Sequence, residues 1–355
     1  MIYDVFVIGL GPAGANFCSN ISEKYSVFAV DSRKFENGVY TTSKCCGGML
    51  NEDSQEALIE ENLVIDKDVI TTPQSFVVKT YDKDNDLIRQ YKKPYLNINR
   101  DKFDSFLLKR VSSNVSLNFN TKFSSFEKVK DYYLIKIKSG KNVEFVKARY
   151  IVDASGSVSI LRSKLFKNDS IEKYYALQRW YKKEDLPKSM LAVFDSRITD
   201  YYGWGVPKDG AYLLGLASKF NGNINVGFDI MLKDLNYFGL DFGSDYKREA
   251  SIIFRPKFNK DIFLCNENVF FIGESAGLIS PSSSEGISYA IRSGRYLAQS
   301  MNESIDDFKK QYFEKIKKLK YMIFTRNLKS SVMYGFKGEL RNIIMKSNLL
   351  HIKSK

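Results

Sequence analysis

Histidine is almost missing from this chain: His351, near the C-terminal end, is the single one among 355 residues. That leaves no material for a Ser-His-Asp arrangement or a histidine-ligated metal. Cysteine is scarce as well. Cys18, Cys45, Cys46 and Cys265 form no C-x-x-C pair and no zinc spacing, so no metal site is expected and a reducing compartment, the cytoplasm, is. A disulfide between the adjacent Cys45 and Cys46 is disfavoured. No apolar run approaches the length that spans a bilayer. The apolar N-terminal stretch is interrupted by Asp4 and by glycines and has no basic region before it, so no cleaved export signal is predicted. Internal repeats, long linkers and low-complexity segments are absent too. Acidic residues are outnumbered, 41 against 54 Lys and Arg, for a net charge of +13. That balance suits an acidic substrate, an anionic membrane surface or nucleic acid, and equally a solvated lysine-rich surface. No recognition motif accompanies the charge, so nucleic acid is not an expected partner.

What is present is concentrated between Ile2 and Arg33. Val5 to Ile8 is an apolar run of the kind found in a buried parallel strand. Gly9, Gly11 and Gly14 follow at G-x-G-x-x-G spacing. Gly9 permits the tight turn, Gly11 lets a pyrophosphate approach the backbone, and Gly14 lets the helix pack on the strand. Pro12 suits the first turn of that helix, where its missing N–H is not needed, and the free N–H groups from Ala13 onward point toward the phosphates. Ser26 to Val30 reads as a second strand. Asp31 at its end is positioned to accept hydrogen bonds from a ribose, with Ser32 and Arg33 beside it. Strand, glycines, helix, strand and terminal acid together predict a dinucleotide site.

Further along, Asp53 to Glu60 looks helical, and Ser75 to Tyr81 with Leu87 to Tyr91 reads as a hairpin. Arg100 precedes a helix over Asp101 to Val111. Val115 to Phe119, Tyr133 to Lys138 and Val143 to Ala148 read as a small three-stranded meander, and Tyr150 to Val152 as a separate buried strand. Strands dominate from Tyr174 to Ala217, a helix follows over Ile224 to Phe238, and Asn268 to Ile272 is a last buried strand before a helix from Gly286. In the tail, Ile305, Phe308, Tyr312, Ile316, Leu319 and Ile323 recur at helical spacing. The expected fold is α/β: a Rossmann-type domain (1–60, 96–170 and 262–304) with an interleaved β-rich substrate domain (61–95 and 171–261) and a helical C-terminal segment (305–355).

The first motif alone does not choose between NAD and FAD. The later segment does, because its strand closes in Gly273-Glu274, where an acid can hold the ribose or ribityl side of FAD. Beyond Pro281, Glu285-Gly286-Ile287 opens a helix whose N–H groups can face the pyrimidine end of a flavin, where negative charge collects on reduction.

At this point the chain resembles FAD-dependent oxidoreductases of the aromatic-hydroxylase superfold, and within it the geranylgeranyl reductase family, in its shorter CbrA-like bacterial branch. The likeness covers about the first 300 residues. Asp153-Ala-Ser-Gly156-Ser-Val-Ser159-Ile-Leu-Arg162 resembles the D-x-x-G-x-x-S-x-x-R motif. Cys45-Cys46-Gly47-Gly48 resembles the family's C-G-G element beside the flavin. Tyr202-Gly-Trp204-Gly-Val206-Pro207 resembles its Y-x-W-x-F-P pocket motif, with Val206 replacing Phe, and Arg100 matches a flavin-contacting arginine. Gly273-Glu274 departs from the usual Gly-Asp, and Ser155 from an acid tied to nicotinamide use. The resemblance implies reduction of C=C bonds in a prenyl or other apolar substrate by hydride from reduced flavin, with Cys46, Tyr202 and Trp204 at the reacting centre. It leaves the electron donor as NADPH or a ferredoxin-like redox protein. The rival on the same superfold is a monooxygenase or halogenase acting on an aromatic small molecule. From Met301 to Lys355 thirteen Lys and Arg stand against five Asp and Glu. That tail suits peripheral contact with anionic lipid, or a domain-packing helix with a wet lysine face.

Overall fold

The computed structural model describes residues 1–335 apart from 43, 184, 220–222 and 305, together with 341 and 343. The chain opens with β1 (Tyr3–Ile8), α1 (Pro12–Asn20) and β2 (Val27–Val30). The two-residue strands β3 (Phe35–Glu36), β4 (Val39–Tyr40) and β5 (Met49–Leu50) follow, then α2 (Glu52–Ile59) and the hairpin β6 (Ser75–Asp82) and β7 (Leu87–Asn97). After α3 (Arg100–Leu108) come β8 (Val115–Asn118), β9 (Thr121–Val129), β10 (Tyr132–Ser139), β11 (Asn142–Asp153) and the short α4 (Ile160–Leu165). β12 (Glu172–Tyr181), β13 (Met190–Phe194), β14 (Gly203–Lys208) and β15 (Ala211–Lys219) precede α5 (Ile224–Tyr237) and β16 (Asp245–Arg255). The last elements are β17 (Cys265–Asn266), β18 (Val269–Phe271), α6 (Ile287–Glu303) and α7 (Phe308–Gly335).

The first sheet has the path β17-β18-β11-β1-β2-β8, and its strands from β18 to β8 are mutually parallel. β1 is buried from Val5 onward, as a central parallel strand covered on both faces must be. α1 and α6 approach closely because Gly294 has no side chain: a β-carbon there would lie 2.4 Å from the Ala13 carbonyl oxygen. The carboxyl ends of β1, β11 and β18 therefore converge on Gly9, Ala154 and Gly273. In open parallel sheets ligands bind at that edge.

The second sheet runs β16-β12-β15-β14-β13-β6-β7-β5, antiparallel except where β13 pairs with β6. Period-two alternation gives it two apolar faces. Leu191, Val193, Tyr212, Leu214 and Leu216 pack on Phe228, Met231 and Leu235 of α5. Tyr174, Ala176, Trp204, Val206, Leu213 and Ala217 cluster on the opposite face. α7 packs Phe308, Tyr312, Ile316, Leu319 and Ile323 into the core of the first sheet. Ile305 lies outside the described residues.

Two strand expectations are corrected. β8 is not part of a meander; it pairs in parallel with β2 at the far edge of the first sheet. The meander is β9, β10 and β11. β9 escapes a sequence reading because its register shifts opposite Lys136/Ile137. Such a bulge inserts one residue, so Phe123 and Phe126, three apart, turn to the same side and their rings lie 6.5 Å apart. Val143–Ala148 and Tyr150–Val152 are one strand, β11. Its first part is antiparallel to β10, and its last residues lie between β1 and β18.

Candidate functional site

The three glycines of the first motif have three different surroundings. Gly9 has φ +91°, and a β-carbon on it would sit 2.6 Å from the Ala154 carbonyl oxygen. On Gly14 it would sit 1.9 Å from the Gly9 carbonyl oxygen. On Gly11 it would meet nothing within 4 Å. Gly11 is also the N-cap of α1, has no side-chain cap, and is followed by Pro12 and a first turn without acids. The orphan N–H groups there are left for an anion.

That opening is one end of a cavity of about 230 Å³, lined there by Gly11, Pro12 and Ala13. Its walls include Cys45 to Met49, Arg100, Gly156 and Glu274, and at the start of α6 Glu285, Gly286 and Ile287. Trp204, Val206 and Met190 of the second sheet line it too, with Tyr202 just before β14. The amino ends of two helices thus open onto one space roofed by an apolar sheet face. A pyrophosphate and a flat ring system fit this donor set and this open glycine.

Around the Cys46 loop, the Gly48 N–H lies 3.4 Å from Cys46 Sγ. Gly48 has φ +61°, and a β-carbon there would strike the Ile98 carbonyl oxygen at 2.5 Å, so glycine is required. Lys208, at the end of β14, is buried beneath this turn. Its Nζ donates to Asn97 Oδ1 (2.5 Å), Ile98 O (2.6 Å) and Gly48 O (3.2 Å). Burial pulls its ammonium down to about 7. Burial likewise pushes the Cys45 thiol up to about 12, which keeps it protonated. All four cysteines are free thiols. Arg100 is held by Asp104 through Nε at 2.7 Å, and its guanidinium neighbours Cys46.

Tyr202 donates from its hydroxyl to the Ser283 carbonyl at 2.8 Å, and burial holds its pKa well above the ordinary value. Its ring meets Trp204 at 5.8 Å and Tyr201 at 4.8 Å. Glu274 Oε1 accepts from the Phe254 N–H at 3.0 Å, which ties the first sheet to β16. Burial raises the Glu274 pKa while nearby Lys44 opposes that shift.

Several sequence-assigned residues lie off the cavity. Asp31 is turned inward: Oδ2 accepts from the Leu10 N–H at 2.8 Å, and both oxygens take bonds from Arg33. Arg33 also pairs with Asp104 and lies 3.7 Å over the Tyr40 ring, while Ser32 is exposed. Asp153 does not face the cavity either. It accepts from Ser155 and Ser159, and Ser159 caps α4 at the Arg162 N–H. Arg162 is buried and donates to the Ser275 carbonyl at 3.0 Å. The D-x-x-G-x-x-S-x-x-R motif is therefore a brace between the turns after β11 and β18, with Ala154 and Gly156 reaching the cavity. Gly273 sits behind Glu274 with φ +63°, against Ala13. Pro281 is buried and accepts from Arg255 Nε through its carbonyl. Sequence reasoning passed over Lys44, Asn51, Tyr95, Gln178 and Met190, which line the cavity. Lys44 arrives beside Cys45 and Asn51 as the N-cap of α2, whereas cross-strand register brings Tyr95, Gln178 and Met190 there.

No protein-family model matches this chain. It is similar to the crystal structure of a geranylgeranyl bacteriochlorophyll reductase-like protein from Thermoplasma acidophilum, with TM-score 0.80 and 20% identity over 99% of this chain and 94% of that one. It is also similar to p-nitrophenol 4-monooxygenase PnpA from Pseudomonas putida DLL-E4, with TM-score 0.70 and 13% identity over 97% and 92%. The fold is the one such flavoproteins share, two sheets with a helical C-terminal segment. Protein CbrA of Escherichia coli O157:H7 is 33% identical over 350 residues, 99% of this chain and 98% of that protein. With this level of identity along nearly the whole of both chains, the chain belongs to the CbrA family.

Proposed function

We propose that this chain is an FAD-dependent oxidoreductase, similar to geranylgeranyl reductases, that saturates C=C bonds of an isoprenoid or similarly apolar substrate. The observation that carries the reading is that two helix amino ends and the apolar group Tyr202, Trp204, Val206 and Met190 line one and the same cavity. When bound, FAD supplies the redox chemistry. Gly11 and the α1 N–H groups hold the pyrophosphate, and Glu274 with Arg100 orients the middle of the cofactor. The amino end of α6 favours negative charge at the ring. Gly47 lets the ring lie close to the backbone. Trp204 and Tyr202 exclude water and hold the alkene. Cys46 supplies the closing proton or orders the water that does. The electron donor is NADPH or a small acidic redox protein, and rapid mixing with each in turn distinguishes them.

A second observation favours peripheral contact with anionic lipid. The outer face of α7 exposes Lys309, Lys310, Lys317 and Lys318 beside Phe313, Tyr321, Phe324 and Leu328. Basic residues with aromatic and leucine side chains on one exposed stripe suit a headgroup layer. No helix among the described residues is long and apolar enough to cross a membrane.

The test is anaerobic turnover of the reduced, FAD-loaded protein with geranylgeranyl lipids, read by mass as one hydrogen pair gained per bond. No mass gain, together with rapid oxygen consumption stimulated by an aromatic compound, hands the case to a monooxygenase or halogenase.

A further inference from the structure

Gln178 of β12 lines the cavity, is 1% exposed, and its Oε1 has no hydrogen-bond partner. Buried polar atoms are nearly always paired, so an orphan facing a cavity points to something the cavity receives. Among the described residues none supplies the partner. Directly across β12, Gln178 sits opposite Gly215 on one side and Glu249 on the other. Gly215 has no side chain. Glu249 is taken by Trp180 Nε1 at 2.8 Å and by Lys247 at 2.8 Å. On the same sheet face Ser251 donates its hydroxyl to the Ile252 carbonyl at 3.1 Å, and Ala176, Leu213, Trp204 and Val206 are apolar. Gly215 also pairs with Trp204 on β14, which sets Trp204, Gly215 and Gln178 in one line across three strands.

We propose that Gln178 is the polar anchor of the substrate wall: its Oε1 accepts a hydrogen bond from a hydroxyl on an otherwise apolar substrate, whose hydrocarbon part lies along Trp204. The assignment takes the reductase reading above as its premise for the hydrocarbon part. It points to a substrate that carries a hydroxyl donor, an alcohol or phenol, because a fully ionised phosphate ester has no proton to donate and a bare hydrocarbon leaves the amide unpaired.

The experiment measures affinities for the oxidised, FAD-loaded protein by perturbation of the flavin absorbance. The probes are geranylgeraniol and its methyl ether, and 4-butylphenol and its methyl ether. Wild type is expected to prefer the hydroxyl compound on the order of tenfold or more in at least one pair. Gln178→Leu should erase that preference by weakening the hydroxyl compound alone, with flavin content and spectrum unchanged. Equal affinities within both wild-type pairs, or binding by none of the four probes, overturns the proposal. So does a preference that survives in Gln178→Leu, or a variant that loses or spectrally shifts its flavin, since the amide would then serve the cofactor. A preference confined to the phenol pair supports Gln178 while sinking the isoprenoid reading. Reduction of geranylgeraniol and its ether with no preference between them does the reverse.

Discussion

The indole of Trp204 lies across Gly215 of the neighbouring strand, so close that a β-carbon on Gly215 would stand 2.2 Å from Trp204 Cε2. The missing side chain lets the ring lie over β15 and line the cavity beside Gly47, where a β-carbon would be 3.9 Å from Trp204 Nε1. Gly215→Ala must push the ring off this position. Overpacking of this kind costs about 1–3 kcal/mol, and a misplaced wall costs turnover by up to roughly 100-fold. Flavin content should stay at the wild-type level, because Gly215 is remote from the glycine turn after β1. Unchanged turnover in Gly215→Ala would remove Trp204 from the substrate wall.

The glycines of the first motif should separate stability from cofactor binding. Gly11→Val points into open space, with φ −71° that any residue adopts. It should yield a folded, colourless protein that melts at the temperature of flavin-free wild type. Gly14→Ala drives a methyl group into the Gly9 carbonyl and should lose about 1–3 kcal/mol or more of stability in denaturant melts. A Gly11→Val protein that purifies with full flavin would contradict the pyrophosphate assignment.

Lys208 gives a pH dependence with a definite sign. Burial lowers its folded pKa to about 7 from an ordinary 10.5. Between those values the unfolded chain holds the proton more tightly than the folded chain, so stability rises with pH. Below about pH 7 the penalty is fully present; toward pH 10.5 it is relieved. Denaturant midpoints of wild type and Lys208→Met should therefore diverge in favour of wild type as pH climbs through this window. Loss of the bonds to Asn97, Ile98 and Gly48 displaces the whole curve of the variant without adding a slope. A pH-independent difference would mean Lys208 stays charged throughout.

Lipid contact through the outer face of α7 should be electrostatic first. Binding to anionic vesicles is expected to fade as the Debye length falls from about 10 Å at 0.1 M salt to about 3 Å at 1 M. Replacing Lys317 and Lys318 by Glu should weaken it even at low salt. Equal partitioning onto neutral and anionic vesicles would refute this role for the face.

Much of this protein is decided by neighbours in sequence. Gly9, Gly11 and Gly14 lie in the turn, at the N-cap and in the first turn of one strand-to-helix junction, so their spacing alone implies a turn, an open approach and a close packing. The buried runs of β1 and β18 and the helical spacing of Phe308, Tyr312, Ile316, Leu319 and Ile323 are equally local, since burial on both faces or on one stripe writes its own period. What the tertiary structure alone decided depends on register between distant strands. Asp31 ends β2 as expected, yet Leu10 and Arg33 take up its oxygens, because the turn after β1 folds back on it. Asp153 and Pro281 sit in legible motifs but brace turns, because the carboxyl ends of β11 and β18 must be tied together. β9 hides its strand behind a bulge that breaks the period of two. Gln178, Trp204 and Gly215 become a wall only because β12, β15 and β14 pair at one register. The Asp209-Gly210 turn sets β14 on β15 locally, but only the folded sheet lays β12, separated from β15 by β13 and β14, at the register that brings in Gln178.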